Sequence, residues 1–304
     1  MSFMDESEQV FVMNVIEDPS VDKVGEALKA QRFQMLEDIA RELSSESVVF
    51  PTCFDAALRL RKELQNPDLS IPHLARIVAL EPLVATRLMQ LAGSVLHSPD
   101  GTPARDLQAA INRLGVELVR TTALAIAMSQ LLRSKETAVF GDFARALWGH
   151  SIRAASATRL LAQAHTRINP DQALLAGLVH DLGAFYMLYR AAQYDELRVR
   201  PETVKHLMWQ WHEGIGVSLL NALGLPEEIV NAVVDHDQPR SLPETLRTLE
   251  DLVHVGNLLA GSHLEWFDQD ADPAAGQVGV VRQRYADLLP KIEMDAQEML
   301  SVFS

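Results

Sequence analysis

The chain has little cysteine, few aromatic side chains and no long hydrophobic run. Its 304 residues include one cysteine, Cys53, which excludes a disulfide within the chain and favours a reducing compartment. The longest nearly apolar stretch, residues 121–132, is too short to cross a bilayer. The first residues are acidic and lack the basic start of a secretion signal. These absences predict a soluble protein of the cytoplasm.

Positive charge is also scarce. There are 27 lysines and arginines against 41 aspartates and glutamates, which gives a net charge of −14. Such a surface repels nucleic-acid phosphates and anionic lipids unless basic residues cluster locally. The densest basic stretch contains Arg190, Arg198 and Arg200, but Asp195 and Glu196 interrupt it, and we interpret it as a solvated face. Binding to nucleic acid or to a membrane is therefore not predicted.

The hydrophobic residues, 48% of the chain, recur with a helical period in almost every segment. Val10–Val15 is the only stretch that we interpret as a candidate strand. We predict an all-α protein with two packed helical subdomains. Its parts are an acidic segment with an amphipathic helix (1–47), a first block (48–137), a second block (138–262), and a C-terminal loop and helix (263–304).

The amphipathic helix of the first part, over residues 20–45, stands apart from the two blocks. Its apolar residues, including Leu28, Met35 and Ile39, lie near one face. A helix with a single apolar face needs a partner surface. We predict that it mediates self-association as a homodimer or packs on the first block.

Polar side chains interrupt the apolar stripes of five successive helices in the second block. A buried polar group without a partner costs roughly 1–3 kcal/mol, so separate burial of all of them is unfavourable. A shared site, where the side chains satisfy each other, a metal or a ligand, has a lower free energy. Imidazole and carboxylate groups suit zinc, iron or manganese. The predicted site consists of His150, His180, Asp181, His212, His236 and Asn257.

The other polar residues have simpler interpretations. A single histidine on an apolar stripe is more often a hydrogen-bonded core residue than a ligand. Asp235 and Asp237 could supply a substitute carboxylate, but we interpret them as solvated residues at a helix end. The remaining histidines are interpreted as core or surface residues: His73, His97, His165, His206, His254 and His263.

The order of the candidate site residues resembles the HD superfamily of metal-dependent phosphohydrolases. The central pair, His180 and Asp181, lies in the sequence Gly-Leu-Val-His-Asp-Leu-Gly at 177–183. The first block is similar to the HDOD branch, with Phe-Pro-Thr at 50–52, Asn-Pro-Asp-Leu-Ser at 66–70 and Leu-Met-Gln-Leu-Ala-Gly-Ser at 88–94. The resemblance covers residues 48–262. It implies an all-α fold with an HD-like bundle in the second block, and a role in bacterial signalling.

Carried over to this chain, the resemblance implies a set of metal ligands. His150, His180 and Asp181 match the first three ligands of the superfamily. His212 and His236 match two histidines that its two-metal members add. The resemblance therefore implies a site with at least one divalent metal ion in active members.

Three differences from that pattern argue against hydrolysis. The closing ligand of active members is an aspartate, and the matching residue here is Asn257. A lysine that holds phosphate in the cyclic-dinucleotide branch is replaced by Ala184, and the Gly-Tyr-Pro signature of that branch is absent. A neutral amide does not offset the charge of a cation, so both the metal and the phosphate would be held less firmly.

These differences favour a binding module over an enzyme. We predict a regulatory module that binds a ligand or a protein through a degenerate HD pocket, with one divalent metal (iron, manganese or zinc) or none. The alternative is a metal-dependent phosphohydrolase of a nucleotide or cyclic dinucleotide, in which Asp181 would bridge metals or orient the attacking water. The resemblance implies signalling partners: cyclic-dinucleotide enzymes, histidine kinases or response regulators.

Overall fold

The regular secondary structure of the described part of the chain is entirely helical. The structure, a computed structural model, describes residues 25–44, 54–64, 66, 68–94, 97–99, 101–135, 137–238, 240–261 and 275–303. The all-α prediction is confirmed for these residues. The candidate strand Val10–Val15 and the Phe-Pro-Thr sequence at 50–52 lie outside them.

The N-terminal half begins with a long helix that is followed by shorter ones. The Ser70 hydroxyl accepts a hydrogen bond from the His73 backbone N–H and so caps the third helix. Gly115, with φ of 81°, separates the fifth helix from the sixth, because a left-handed backbone conformation cannot continue a right-handed helix. The helices are α1 (Glu26–Ser44), α2 (Asp55–Leu64), α3 (Ile71–Val78), α4 (Pro82–Ala92), α5 (Leu107–Leu114) and α6 (Val116–Leu132).

The C-terminal half opens with a short 3₁₀ helix, Thr137–Phe140, that leads into the longest helix of the described chain. The single C-terminal helix that we predicted is instead two helices, separated by a turn at residues 285–288. The helices are α7 (Gly141–His165), α8 (Pro170–Val179), α9 (Leu182–Ala191), α10 (Asp195–Arg198), α11 (Pro201–Ala222), α12 (Glu227–Ala232), α13 (Leu249–Ala260), α14 (Ala275–Arg284) and α15 (Leu289–Phe303).

Glycines allow the helices of the second block to approach one another closely. A Cβ atom at Gly177 would lie 2.8 Å from a backbone oxygen of α7, so α8 packs directly on that helix. A Cβ at Gly183 would lie 1.8 Å from the backbone oxygen of His212, so α9 packs against α11. A Cβ at Gly256 would lie 2.5 Å from Thr158 Cγ2, which sets α13 against α7. These contacts hold the polar side chains of neighbouring helices near one another.

Helix α1 packs mainly on α10 and α11, which belong to the second block. The Glu42 carboxylate accepts hydrogen bonds from the Tyr186 hydroxyl (2.6 Å) and from Arg190, and Asp38 accepts one from the Tyr194 hydroxyl (2.6 Å). The prediction that this helix packs on the first block is wrong, while self-association stays a prediction. The solvated interpretation of Arg190 is also wrong, because its side chain is 12% exposed and ion-paired.

The buried apolar side chains of the two blocks form one continuous cluster. Leu124 and Met128 of α6 belong to the same cluster as Leu175 of α8 and Phe185 of α9. The division into two packed subdomains therefore stays a prediction. In the part of the chain that is described, no helix combines the length and apolarity needed to cross a membrane.

Candidate metal centre

The histidines and the aspartate predicted to share a site meet inside the second block. His150 lies in α7, His180 and Asp181 form the junction between α8 and α9, and His212 lies in α11. His236 lies in the turn that follows α12. Each of these residues is only 1–2% exposed. The helix junction lets two adjacent residues face the same interior point.

The ligand atoms fall into two halves that share Asp181. In the first half, His150 Nε2 and His180 Nε2 are 3.2 Å apart, and Asp181 Oδ2 lies 3.6 Å and 3.1 Å from them. In the second half, His212 Nε2 and His236 Nε2 are 3.4 Å apart, and Asp181 Oδ1 lies 3.6 Å and 3.3 Å from them. The whole arrangement is called the centre below.

A second carboxylate, Asp237, completes the second half. Its Oδ2 lies 2.9 Å from His212 Nε2 and 3.2 Å from His236 Nε2, and the residue is 8% exposed. Our interpretation of Asp237 as solvated is therefore wrong. Asp235 has a φ of 55°, in the left-handed region, and this turn lets two consecutive residues face the centre. In a regular helix, neighbouring side chains point about 100° apart.

Backbone carbonyls orient three of the histidines. The Nδ1 atoms of His180, His212 and His236 lie 2.7–2.8 Å from the carbonyl oxygen three or four residues earlier in the chain. A carbonyl oxygen only accepts, so each Nδ1 donates its proton, and the neutral ring presents the lone pair of Nε2 to the centre. Lone pairs of imidazoles and carboxylates then face one another, which is unfavourable unless positive charge lies among them.

The acceptors that crowd the centre shift the pKa values of its own side chains. Burial by itself would raise the pKa of Asp181, but His180, His236 and His150 hold it well below its usual value. Burial would lower the pKa values of His212 and His236, but the Asp237 and Asp181 carboxylates raise both, that of His236 strongly. Protons on these imidazoles and a bound cation are two alternative ways to offset the same negative charge.

The donor set fits a divalent transition metal. Both oxygens of Asp181 are buried, and neither receives a hydrogen bond from the described part of the chain. The first half offers two imidazoles and one carboxylate, and the second half offers two imidazoles and two carboxylates. Zinc, iron and manganese accept such mixed nitrogen and oxygen ligands. The residues therefore suit a cation in each half, with Asp181 between them.

Two residues of α13 lie next to the centre. Asn257 Nδ2 donates a hydrogen bond to Asp237 Oδ1 at 2.8 Å. His254, which we interpreted as a core or surface residue, is 2% exposed, and its Nδ1 faces the backbone oxygen of His236 at 3.1 Å. Burial lowers the pKa of His254. Its position one turn before Asn257 on the same helix is the sequence signal that associates it with the site.

Residue 184, where the resemblance predicts a phosphate-binding lysine in the cyclic-dinucleotide branch, is an alanine that cannot bind phosphate through its side chain. Ala184 is fully buried in α9, and the neighbouring Gly183 packs against the backbone of α11. A methyl group offers no charge or hydrogen bond to a phosphate. The centre thus has ligands suited to a cation, without a cationic side chain at this position.

Comparisons with known proteins identify the family of the chain. The family model for the HDOD domain matches residues 50–239. A comparison with curated proteins finds no match to this chain.

Several solved structures share the fold. A protein from Shewanella amazonensis SB2B, provisionally named a metal-dependent phosphohydrolase, has a TM-score of 0.69 and 22% identity over 90% of this chain and 100% of its own. An HDOD domain protein with unknown function from Geobacter sulfurreducens has a TM-score of 0.54 and 19% identity, over 88% of this chain and 98% of its own. A protein from Marinobacter aquaeolei VT8, provisionally named a signal transduction protein, has a TM-score of 0.54 and 18% identity, over 91% of this chain and 66% of its own.

Proposed function

This chain belongs to the HDOD domain family, and on that premise we propose that it is a bacterial regulatory module whose buried centre binds a divalent cation without catalysing a reaction. Cation binding would stabilise the second block and the surfaces that contact a signalling partner. The proposed partners are cyclic-dinucleotide enzymes, histidine kinases or response regulators, in the cytoplasm. The chain would act alone or as a homodimer.

The burial of the centre is the observation that supports binding over catalysis. The four histidines and Asp181 are 1–2% exposed, and Asp237 is 8% exposed. A phosphodiester must bring its phosphorus atom and an attacking water to the metal at the same time. Side chains that are covered to this degree leave no room for a nucleotide in this conformation. A dehydrated cation is small enough to occupy the space between the lone pairs.

The ligands have distinct roles in this proposal. His150 and His180 would hold a cation in the first half, and His212, His236 and Asp237 would hold one in the second. Asp181 would contribute one oxygen to each half. The cation would supply positive charge, and with it a link between helices that lie far apart in the sequence. Helices α7, α9 and α11 would then move as one unit.

A working phosphohydrolase is the second candidate function. It is favoured by the sharing of Asp181 between the two halves, which is the arrangement that a two-metal hydrolase needs. In that case Asp181 would bridge the two cations and help to orient a water molecule. The centre would have to open to admit a nucleotide or cyclic dinucleotide, and a group other than Ala184 would have to hold its phosphate.

Metal analysis of the purified full chain tests the proposal. We expect iron, manganese or zinc near stoichiometric amounts, and at least a hundredfold weaker binding in His180→Ala, because that change removes a ligand that is 2% exposed. His73→Ala, at a side chain that is 46% exposed, is the matched control and should bind as the wild type does. A chain that takes up no cation under any condition would contradict the proposal.

An activity assay separates the two candidate functions. The metal-loaded chain is incubated with a panel of nucleotide phosphodiesters and cyclic dinucleotides, and products are measured by chromatography. We expect no turnover above that of His180→Ala. Turnover that disappears in His180→Ala and persists in His73→Ala would establish the hydrolase instead.

A further inference from the structure

We infer that Asn257 is a positioning residue, which holds Asp237 as the charged ligand of the second half. This inference deepens the proposed cation binding and depends on it. It assigns the two residues differently from the family pattern, in which residue 257 would itself bind the metal. In this chain the negative charge lies on Asp237, and Asn257 acts by holding Asp237.

The hydrogen bonds of Asp237 divide its two oxygens between different tasks. Oδ1 accepts the N–H of Asn257 at 2.8 Å, and Oδ2 faces the Nε2 atoms of His212 at 2.9 Å and His236 at 3.2 Å. A carboxylate fixed at one oxygen can rotate little about its last bond, so the other oxygen stays directed at the centre. An aspartate at 257 could not do this in its ionised form, because it has no proton to donate.

The backbone of Asn257 is held firmly in place. The preceding residue, Gly256, packs so closely that a Cβ there would lie 2.5 Å from Thr158 Cγ2 and 3.3 Å from Thr158 N. A capping box at the start of α13, between Thr248 and Asp251, fixes the other end of that helix. The amide is therefore attached to a rigid element, as a positioning residue must be.

The turn that carries Asp237 is the more adaptable partner. Asp235 has a left-handed backbone conformation, with φ of 55°, and its N–H donates to Glu213 Oε1 at 2.8 Å. The conformation costs energy for a residue with a side chain, and it persists only where the surroundings fix it. Glu213 from α11 contacts this turn at Asp235, and Asn257 from α13 contacts it at Asp237. Asp237 thus reaches the centre because two helices hold its turn.

The two halves should consequently differ in affinity. The second half has two carboxylates, Asp181 and Asp237, which together match the charge of one divalent cation. The first half has only the shared Asp181 with its two imidazoles. The first cation to bind should therefore occupy the second half, and Asn257 should affect that cation alone.

Calorimetric titration of the metal-free full chain with Co²⁺, together with the visible absorption of the bound ion, tests this inference. We expect Asp237→Asn to weaken the tighter binding event by about a hundredfold, and Asn257→Asp and Asn257→Ala to weaken it by about tenfold. The weaker event should stay within about twofold of the wild type. Asn221→Ala, which removes an amide that bonds only within its own helix among the described contacts, is the matched control.

A double-mutant comparison shows whether Asn257 acts through Asp237. In the Asp237→Asn background, Asn257→Ala should produce no further loss of Co²⁺ affinity, because the group that it positions is gone. Thermal melting of each metal-free variant is measured alongside, and the isosteric Asn257→Asp, compared with the wild type in the Asp237 background, carries the test if Asn257→Ala does not fold. A merely structural residue would weaken binding equally in both backgrounds and would overturn the inference.

A tighter binding of Co²⁺ by Asn257→Asp would also overturn the inference. If residue 257 binds the cation directly, Asn257→Asp adds a negative ligand and should tighten Co²⁺ binding, with the absorption spectrum changed. If the wild type binds no Co²⁺ at all, the proposed function fails first, so the two failures are distinguishable.

Discussion

Helix α7 contributes to two buried polar clusters that are built in opposite ways. His150 belongs to the centre, where imidazole and carboxylate lone pairs face one another. About two and a half turns away, Arg159 forms a buried ion pair with Asp295 of α15, and the Ser156 hydroxyl donates to the same carboxylate at 2.5 Å. We call Ser156, Arg159 and Asp295 the closed cluster, because its donors face its acceptors.

The difference shows how a buried site that needs a ligand can be recognised. The closed cluster contains both a cation and an anion, so its charges offset each other within the protein. The centre has several acceptors and no lysine or arginine among its ligands, so its charge balance requires a proton or a cation from outside. Burial alone therefore does not indicate function. What distinguishes the two clusters is whether a counter-charge is present among the residues themselves.

The largest effect should come from breaking the closed cluster. Asp295→Ala leaves the Arg159 guanidinium buried at 3% exposure without its carboxylate, and should lower the free energy of unfolding by about 3–5 kcal/mol. Urea unfolding measures the loss. It should be the same with and without Co²⁺, because the centre is intact. Asp195→Ala, at a side chain that is 90% exposed, should change stability by less than about 0.5 kcal/mol.

A second change alters the geometry of the centre while leaving every ligand in place. Gly183→Ala puts a Cβ 1.8 Å from the backbone oxygen of His212, so α9 and α11 must separate. We expect a loss of about 3 kcal/mol in unfolding free energy, together with weaker Co²⁺ binding. Gly214→Ala on α11 is the control, since no described atom beyond its own stretch of helix lies within 4 Å of its Cβ position. Equal effects of the two changes would show that close helix contact is unimportant here.

A third, slightly smaller effect should distinguish the clusters by their response to metal. Adding Co²⁺ at a hundredfold excess over its Kd should stabilise the wild-type chain by about 2.7 kcal/mol, and a chelator should reverse the gain. His180→Ala should show little of this response, while Asp295→Ala should keep it. Thermal melting with and without chelator provides the measurement. A response that is lost in Asp295→Ala would mean that the clusters are coupled.

The smallest effect should be the pH dependence of stability that comes from His97, which lies next to the closed cluster. Burial, and then the positive charge of Arg159, lower the pKa of the adjacent His97 to about 4 from 6.5. Between pH 4 and pH 6.5, His97 therefore binds a proton more readily in the unfolded chain than in the folded chain. The free energy of unfolding should consequently fall as the pH falls from 6.5 towards 4. His97→Gln should flatten this part of the profile relative to His73→Gln. A profile that is unchanged by His97→Gln would contradict the assignment.

The site illustrates which residues sequence patterns can find. His150, His180 and His212 lie on helical stripes or in a recognisable motif, so period and order together predict that they converge. Asp237 was considered as a substitute carboxylate but was interpreted as solvated, because it lies in a turn, where helical spacing does not apply. His254 escaped prediction because a single buried histidine has no pattern of its own.

The closed cluster escaped prediction for a different reason. Arg159 and Asp295 are 136 residues apart, and Asp295 lies near the charged residues Lys291, Glu293 and Glu298, which resemble a solvated helix face. Helix α1 shows the same limit, because its apolar stripe predicted that it needs a partner surface, but the first block that we named within the chain was the wrong one. Its contacts through Glu42 and Asp38 depend on where Tyr186 and Tyr194 lie in space.

By itself, the sequence of this protein determined the helical class, the HDOD family and the candidate residues of the centre. Those features follow from local periodicity and from the order of a few side chains, which the chain carries in any conformation. Only the tertiary structure decided that Asp237 faces the centre, that Asn257 contacts Asp237, and that Arg159 has a carboxylate partner. These depend on the close approach of helices and on one left-handed turn, which arise when the whole core packs.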